Sequence, residues 1–133
     1  MSIEKIEGIG PANATKLAKA GIRGVATLLK KGATPKGREE IAAASGVAKE
    51  VILKWVNMAD LFRIKGISTQ YSELLKATGV DTVKELAQRN PESLHSAMVE
   101  TNNAKKLVRQ TPGAESVKSW VGQAKKLPRA ISY

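Results

Sequence analysis

The feature that most constrains this chain is that it matches itself. Ile6-Glu-Gly-Ile-Gly-Pro-Ala-Asn-Ala-Thr-Lys-Leu-Ala-Lys-Ala-Gly-Ile22 lies over Ile64-Lys-Gly-Ile-Ser-Thr-Gln-Tyr-Ser-Glu-Leu-Leu-Lys-Ala-Thr-Gly-Val80 without a gap. Ile6, Gly8, Ile9, Leu17 and Gly21 fall on Ile64, Gly66, Ile67, Leu75 and Gly79, and Ile22, Val25 and Leu28 on Val80, Val83 and Leu86. A later block, Ile52-Leu-Lys-Trp-Val-Asn-Met-Ala59, aligns with Val117-Lys-Ser-Trp-Val-Gly-Gln-Ala124. Its second occurrence comes further along, which places an insertion between Thr101 and Gly113. Two matching blocks in the same order point to an internal duplication, and a repeated unit must be read as a repeat before its elements are assigned.

The punctuation of both copies is helical. Pro11 sits in a first helical turn, and Gly21 follows a helix as its C′ residue. Thr34-Pro35, Asn90-Pro91 and Thr111-Pro112 each read as an N-cap followed by an N1 proline. Thr82-Val-Lys-Glu85 has the form of a capping box, and Gly46 ends the helix that starts near Pro35. Val51, Ile52, Trp55, Ala59 and Phe62 recur at helical spacing, as do Val117, Trp120, Val121, Ala124 and Leu127. No stretch alternates as a strand does. The first copy is predicted as helices near 3–7, 11–20, 24–31 and 35–45, followed by a connecting helix near 48–63. The predicted class is all-α: two tandem units of four to five helices, 1–62 and 63–133. The second carries the insertion and a basic tail, and no low-complexity linker separates them, so one rigid body is expected.

Composition narrows the function. The chain has 133 residues and no cysteine, which removes disulfides, thiolate nucleophiles and Cys-ligated metals. Apolar residues make up 42% and aromatics only 4%, so the core must be built of Ala, Leu, Ile and Val. The start, Met1-Ser2-Ile3-Glu4-Lys5, has no apolar signal segment. No apolar run approaches the roughly 20 residues of a membrane span. A cytoplasmic protein with no membrane partner is the expectation. Lys and Arg outnumber Asp and Glu by 22 to 12, a formal charge of +10, which invites a polyanion and nucleic acid first.

The informative motif is Ile6-x-Gly8-Ile9-Gly10-x-x-x-Ala14-x-x-Leu17. Glycines on either side of an apolar residue let the chain reverse tightly between two helices. Ile9 can then point inward, while the free amides of Gly10 and the following turn face outward at a positive helix terminus, a ready phosphate site. Ala14 is small where the two helices cross, and Leu17 is buried one turn later. This pattern closely resembles the hairpin of the helix-hairpin-helix superfamily of non-sequence-specific DNA-binding modules, whose units belong to the SAM-like class of helical folds. With its Trp55 and Trp120 blocks, nearly the whole chain also resembles a bacterial family of duplicated helix-hairpin-helix proteins of unassigned function. The resemblance implies contact with the duplex backbone from the minor-groove side and little base reading. Carried over, the contacting positions are Gly8, Ile9, Gly10 and Ala12, with Asn13, Lys16 and Lys19 reaching neighbouring phosphates. In the second copy Lys65, Gly66, Ile67 and Ser68 hold these places. Ser68 stands where the second glycine was, with Tyr71 and Ser72 for Asn13 and Ala14, which puts a close backbone approach there in doubt.

Other candidates are weaker. The clusters Lys105-Lys106…Arg109 and Lys125-Lys126…Arg129 can extend a phosphate-tracking surface or be solvated helix faces, and Pro128 onward reads as a loose end. His95 is the only histidine and has no metal-binding companions. No Ser-His-acid set or carboxylate pair marks an active site, and the chain has no room for the interdomain cleft of helix-hairpin-helix glycosylases. Trp55 and Trp120 lie in apolar stripes, as core anchors do, rather than on base-stacking platforms. The reading is therefore non-enzymatic, with no cofactor, metal or small-molecule substrate. The partner is duplex DNA, docked at exposed, unpaired bend amides beside positive charge. The alternative is a protein-interaction adaptor whose basic face meets an acidic partner, and RNA in place of DNA is not separable from the sequence.

Overall fold

The computed structural model describes residues 1–133 and is all-helical: a 3-10 turn at Ile3–Lys5 and eight α-helices, with no strand beyond one isolated bridge between Ser2 and Gly24. The helices are α1 Gly10–Lys19, α2 Val25–Lys31, α3 Pro35–Ser45, α4 Lys49–Leu61, α5 Thr69–Ala77, α6 Val83–Ala87, α7 Pro91–Lys105 and α8 Ala114–Lys126. Backbone contacts divide the chain into two compact units, Met1–Asp60 with Arg129–Tyr133, and Leu61–Pro128. No helix is long and apolar enough to cross a membrane.

In the first unit the 3-10 turn replaces the short helix expected near 3–7. It is capped by Ser2, and the strand-like pairing of Ile3 N–H with Arg23 O and Val25 N–H with Met1 O ties the N-terminus to the turn after α1. Gly21 takes φ +80 just past the end of α1, which lets Ile22 turn inward to full burial. Thr34 caps α3 by accepting from the Gly37 amide at 3.1 Å, and Gly46 closes that helix in the left-handed region. Ile6, Ile9, Leu17, Ile22, Leu28 and Ile52 are fully buried. Each such side chain contributes roughly 1.5–3 kcal/mol relative to exposure, so the Ile/Leu composition, not aromatic mass, holds this unit together. On α4 the buried face is shifted from the expected stripe and also takes in Val56, Met58 and Leu61. Ile52, Trp55 and Ala59 are buried, whereas Val51 faces solvent at 37% exposure and Phe62 lies past the helix end, half-buried.

The last five residues belong to this first unit and are not the loose end expected from Pro128 onward. Ile131 is buried, and the Ser132 amide donates to Ala33 O at 2.7 Å. Arg38, itself 5% exposed, donates from Nη1 to Gly32 O and from Nη2 to Ser132 O, both at 2.8 Å. The Tyr133 hydroxyl donates to Asn57 Oδ1 at 2.8 Å. A buried guanidinium must be surrounded by acceptors, and the returning segment supplies one of them.

In the second unit Asn90 caps α7 through the Ser93 amide. Thr82 caps α6 through the Glu85 amide, but the Glu85 carboxylate turns to Arg89 Nε at 3.3 Å rather than back to the cap, so the box is half made. Thr111-Pro112 does not open a helix. α8 begins at Ala114 with Gly113 as its N-cap, and Pro112 is buried in the preceding loop. α6 and α7 both pack on α8, whose Val117, Trp120, Val121 and Ala124 face the core.

Candidate nucleic-acid interface

The two bends with matching sequence take similar backbone shapes and have different surroundings. In the first, Ile6 and Ile9 are buried at 0% and 2% exposure and pin the turn, the Ile9 amide donating to Ile6 O at 3.3 Å. Between and after them Gly8 stands at φ +92 and Gly10 at φ +61, left-handed conformations that a side chain disfavours. Nothing lies within 4 Å of where a Cβ on either glycine would sit, so the outer side of the bend is open. Gly8, Gly10 and Ala12 are exposed, and the amides of all three are without a protein acceptor. Pro11 has no amide to satisfy. The Asn13 side chain donates to Gly8 O at 3.4 Å, staying with the loop rather than facing away from it. The bend is therefore a set of outward amides at the positive end of α1.

The charge around it is mixed. Lys16 and Lys19 are exposed but lie in the last turn of α1. At the helical rise they sit roughly 9 and 13 Å along the axis from Gly10. The residues flanking the bend include exposed Glu4 and Glu7 as well as Lys5. The amides are exposed, while the cations near them are Lys5, set between two glutamates, and Lys16 and Lys19 further along the helix.

α8 packs against one side of the second bend, but the amides of exposed Gly66, Ser68 and Gln70, which match Gly8, Gly10 and Ala12, are likewise without a protein acceptor. The Lys65 amide donates to Gln123 Oε1 at 2.8 Å, and Gln123 Nε2 donates back to Lys65 O at 3.2 Å. Gly66 stands at φ +98, and a Cβ there would meet Trp120 Nε1 at 2.8 Å. Trp120, 2% exposed, lies against Tyr71 with ring centroids 5.4 Å apart. Ile67 is buried, and the Ser68 hydroxyl caps α5 by accepting from the Tyr71 amide at 3.3 Å. Of the four positions, only the Lys65 side chain and the exposed edges of Gly66 and Ser68 face solvent. Gln123 is the residue that sequence reasoning passed over. It occupies the place of Met58 in the repeated block, and a glutamine at an aligned methionine was the available signal.

The remaining basic candidates lie in the second unit except Arg129, which belongs to the first and donates from Nε to Ile131 O at 2.8 Å. Lys105 and Lys106 end α7, Arg109 follows in the loop, and Lys125 and Lys126 end α8, all exposed. The lysine pairs at helix C-termini complement the dipole there. Trp55 and Trp120 are buried and serve as anchors, not as exposed stacking platforms. His95 Nε2 lies 3.1 Å from Pro112 O, within the loop before α8. No three His, Asp or Glu side chains converge on a metal-sized site.

Comparison with known proteins places this all-helical chain in a family. It belongs to the family described as domain of unknown function (DUF4332), whose model matches residues 7–127. That span holds both bends and all eight helices. No curated protein matches the chain, and no solved structure does.

Proposed function

We propose that this protein is a non-catalytic, largely sequence-independent DNA-binding protein that contacts duplex phosphates through its first bend. In this reading the chain is a duplicated pair of helix-hairpin-helix units. The first unit keeps the ligand-facing hairpin, and the second uses its hairpin as a structural corner. The observation that carries the proposal is the set of unpaired, outward amides at Gly8, Gly10 and Ala12. It occurs in a chain of net charge +10. Lys16 and Lys19 would meet phosphates further along the strand, and Lys105, Lys106, Arg109, Lys125 and Lys126 add long-range attraction. Backbone amides and spread cations read phosphate, not base edges, which is why little sequence preference is expected.

The test is fluorescence anisotropy with unrelated duplexes over a range of salt. Affinity should be independent of sequence, with a log–log salt slope near −0.9 per phosphate neutralised. Gly10→Asp puts a negative charge at the bend in a conformation that Asp tolerates, with open space for it. It should weaken binding about tenfold, roughly 1.4 kcal/mol. Full affinity in this variant removes the first bend from the interface. The adaptor reading has a basic face meet an acidic protein and draws on the exposed bases away from the bend, Lys105, Lys106, Arg109, Lys125 and Lys126. It predicts no duplex binding at any salt and capture of one defined acidic protein.

A further inference from the structure

The inserted segment after α7 is held at several points. Lys106 is the only non-glycine residue with positive φ, at φ 52 and ψ 47, and its amide donates to Asn102 O at 2.7 Å. Asn102 is 8% exposed, and its side chain clamps the next turn, accepting from the Val108 amide at 2.9 Å and donating to Val108 O at 3.0 Å. Val108 and Pro112 are buried, the Tyr71 hydroxyl donates to Gln110 O, and His95 lies against Pro112 O. A left-handed lysine and a buried asparagine bonded through both ends of its amide are uncommon in a solvated connector. Here they fix the directions of the side chains between them.

Those side chains rim an open groove of about 440 Å³. Gln70, Asn103, Lys106, Leu107 and Arg109 line it, over a floor of Asn102 and Val108. The lining holds a guanidinium, an ammonium and two primary amides outside the clamp, and no acid. The chain between Glu100 and Glu115 carries no carboxylate side chain. Neither Lys106 nor Arg109 has an ion pair, and the side chains of Gln70 and Asn103 have no hydrogen-bond partner. The helix-terminus explanation covers Lys105 and Lys106 but not Arg109, which lies beyond the helix, nor the two amides.

We infer that this groove is a phosphate-binding site that takes a phosphate group of a nucleic-acid strand. The Arg109 fork supplies paired N–H donors to two oxygens, Lys106 a point charge, and Gln70 and Asn103 neutral donors, a set matched to a tetrahedral anion. Leu107, 39% exposed, gives the adjoining sugar an apolar contact. The polymer's identity rests on the function proposed above, whereas the existence of the site does not. The second unit would then grip its ligand with an inserted basic loop, beside a bend whose inner side is packed by Gln123 and Trp120.

The test uses the full ¹⁵N-labelled chain titrated separately with inorganic phosphate, with AMP and with a short duplex. Backbone amide resonances of Gln70, Asn103, Lys106 and Arg109, and the side-chain NH₂ resonances of Gln70 and Asn103, should shift saturably with phosphate, and at far lower concentration with duplex. The double variant Lys106→Asn, Arg109→Gln suits the left-handed position and removes two exposed side chains that make no ion pair or hydrogen bond. It should keep the native spectrum elsewhere, lose the groove shifts, lower duplex affinity at low salt roughly tenfold and reduce the salt slope by about 0.9, one phosphate's share. Groove resonances that ignore both phosphate and duplex, or shifts that survive in the double variant, overturn the site. Duplex shifts confined to Gly8–Ala12 overturn it while leaving the proposed function intact. A groove that answers phosphate and AMP but not duplex overturns the assignment to a nucleic-acid strand.

Discussion

Gly8 and Gly66 occupy matched places at φ +92 and +98, so the same substitution made at each isolates what surrounds the bend. Replacing either with alanine incurs the left-handed backbone cost, roughly 1–2 kcal/mol. Reduced freedom of the unfolded chain offsets about 0.4–1 kcal/mol of it. For Gly8→Ala that is the whole effect, because nothing lies within 4 Å of the new methyl, and a net loss of about 1 kcal/mol follows. For Gly66→Ala the methyl would sit 2.8 Å from Trp120 Nε1. Trp120 cannot swing away, since it is 2% exposed and has Tyr71 at 5.4 Å. Overpacking of this kind adds roughly 1–3 kcal/mol. The two variants should therefore differ by about 2 kcal/mol. Urea unfolding followed by far-ultraviolet circular dichroism and by tryptophan fluorescence measures it, with Trp55 in the first unit and Trp120 in the second. With a urea slope of about 1–3 kcal/mol/M, the midpoints should lie about 1 M apart. Equal midpoints, or a Gly8→Ala variant as damaged as Gly66→Ala, would refute the contrast between an open and a covered bend.

Two further substitutions test the long-range contacts. Arg38→Met removes the donors to Gly32 O and Ser132 O. It should lower stability by about 3 kcal/mol and speed hydrogen exchange at Ser132, and an unchanged Ser132 amide would show that the terminal segment is held by Ile131 alone. Gln123→Ala frees both Lys65 backbone groups. A loss of about 1–2 kcal/mol is expected on thermal unfolding, together with a large shift of the Lys65 amide resonance; a silent Lys65 amide would contradict the clamp.

What was legible in the sequence was what is decided within one turn of helix. Thr34 and Asn90 cap where a side-chain oxygen precedes a proline, because the bond they make is local. Gly8, Gly21, Gly66 and Gly79 all take positive φ, because no other residue does so cheaply. The misses were settled at a distance. Thr111-Pro112 has the same local form as Thr34-Pro35, but Val108 and Pro112 are drawn into the core, and the helix starts later, at Ala114. Arg38 and Ser132 are 94 residues apart, so nothing near Pro128 announced that the end of the chain returns to the first unit. Glu85 had two reachable partners and took the Arg89 guanidinium. At the site, the open first bend was readable from its glycines. The tie that holds Lys65 of the second depended on Gln123, 58 residues away.

The central claim is that outward amides at the first bend hold a phosphate of duplex DNA, and ¹⁵N chemical-shift mapping with an unlabelled duplex at low salt reads those amides directly. The account predicts saturable shifts at Gly8, Gly10 and Ala12 that recede as salt rises, while the Lys65 amide, held by Gln123, stays in place. Bound duplex that leaves Gly8, Gly10 and Ala12 unmoved would contradict it.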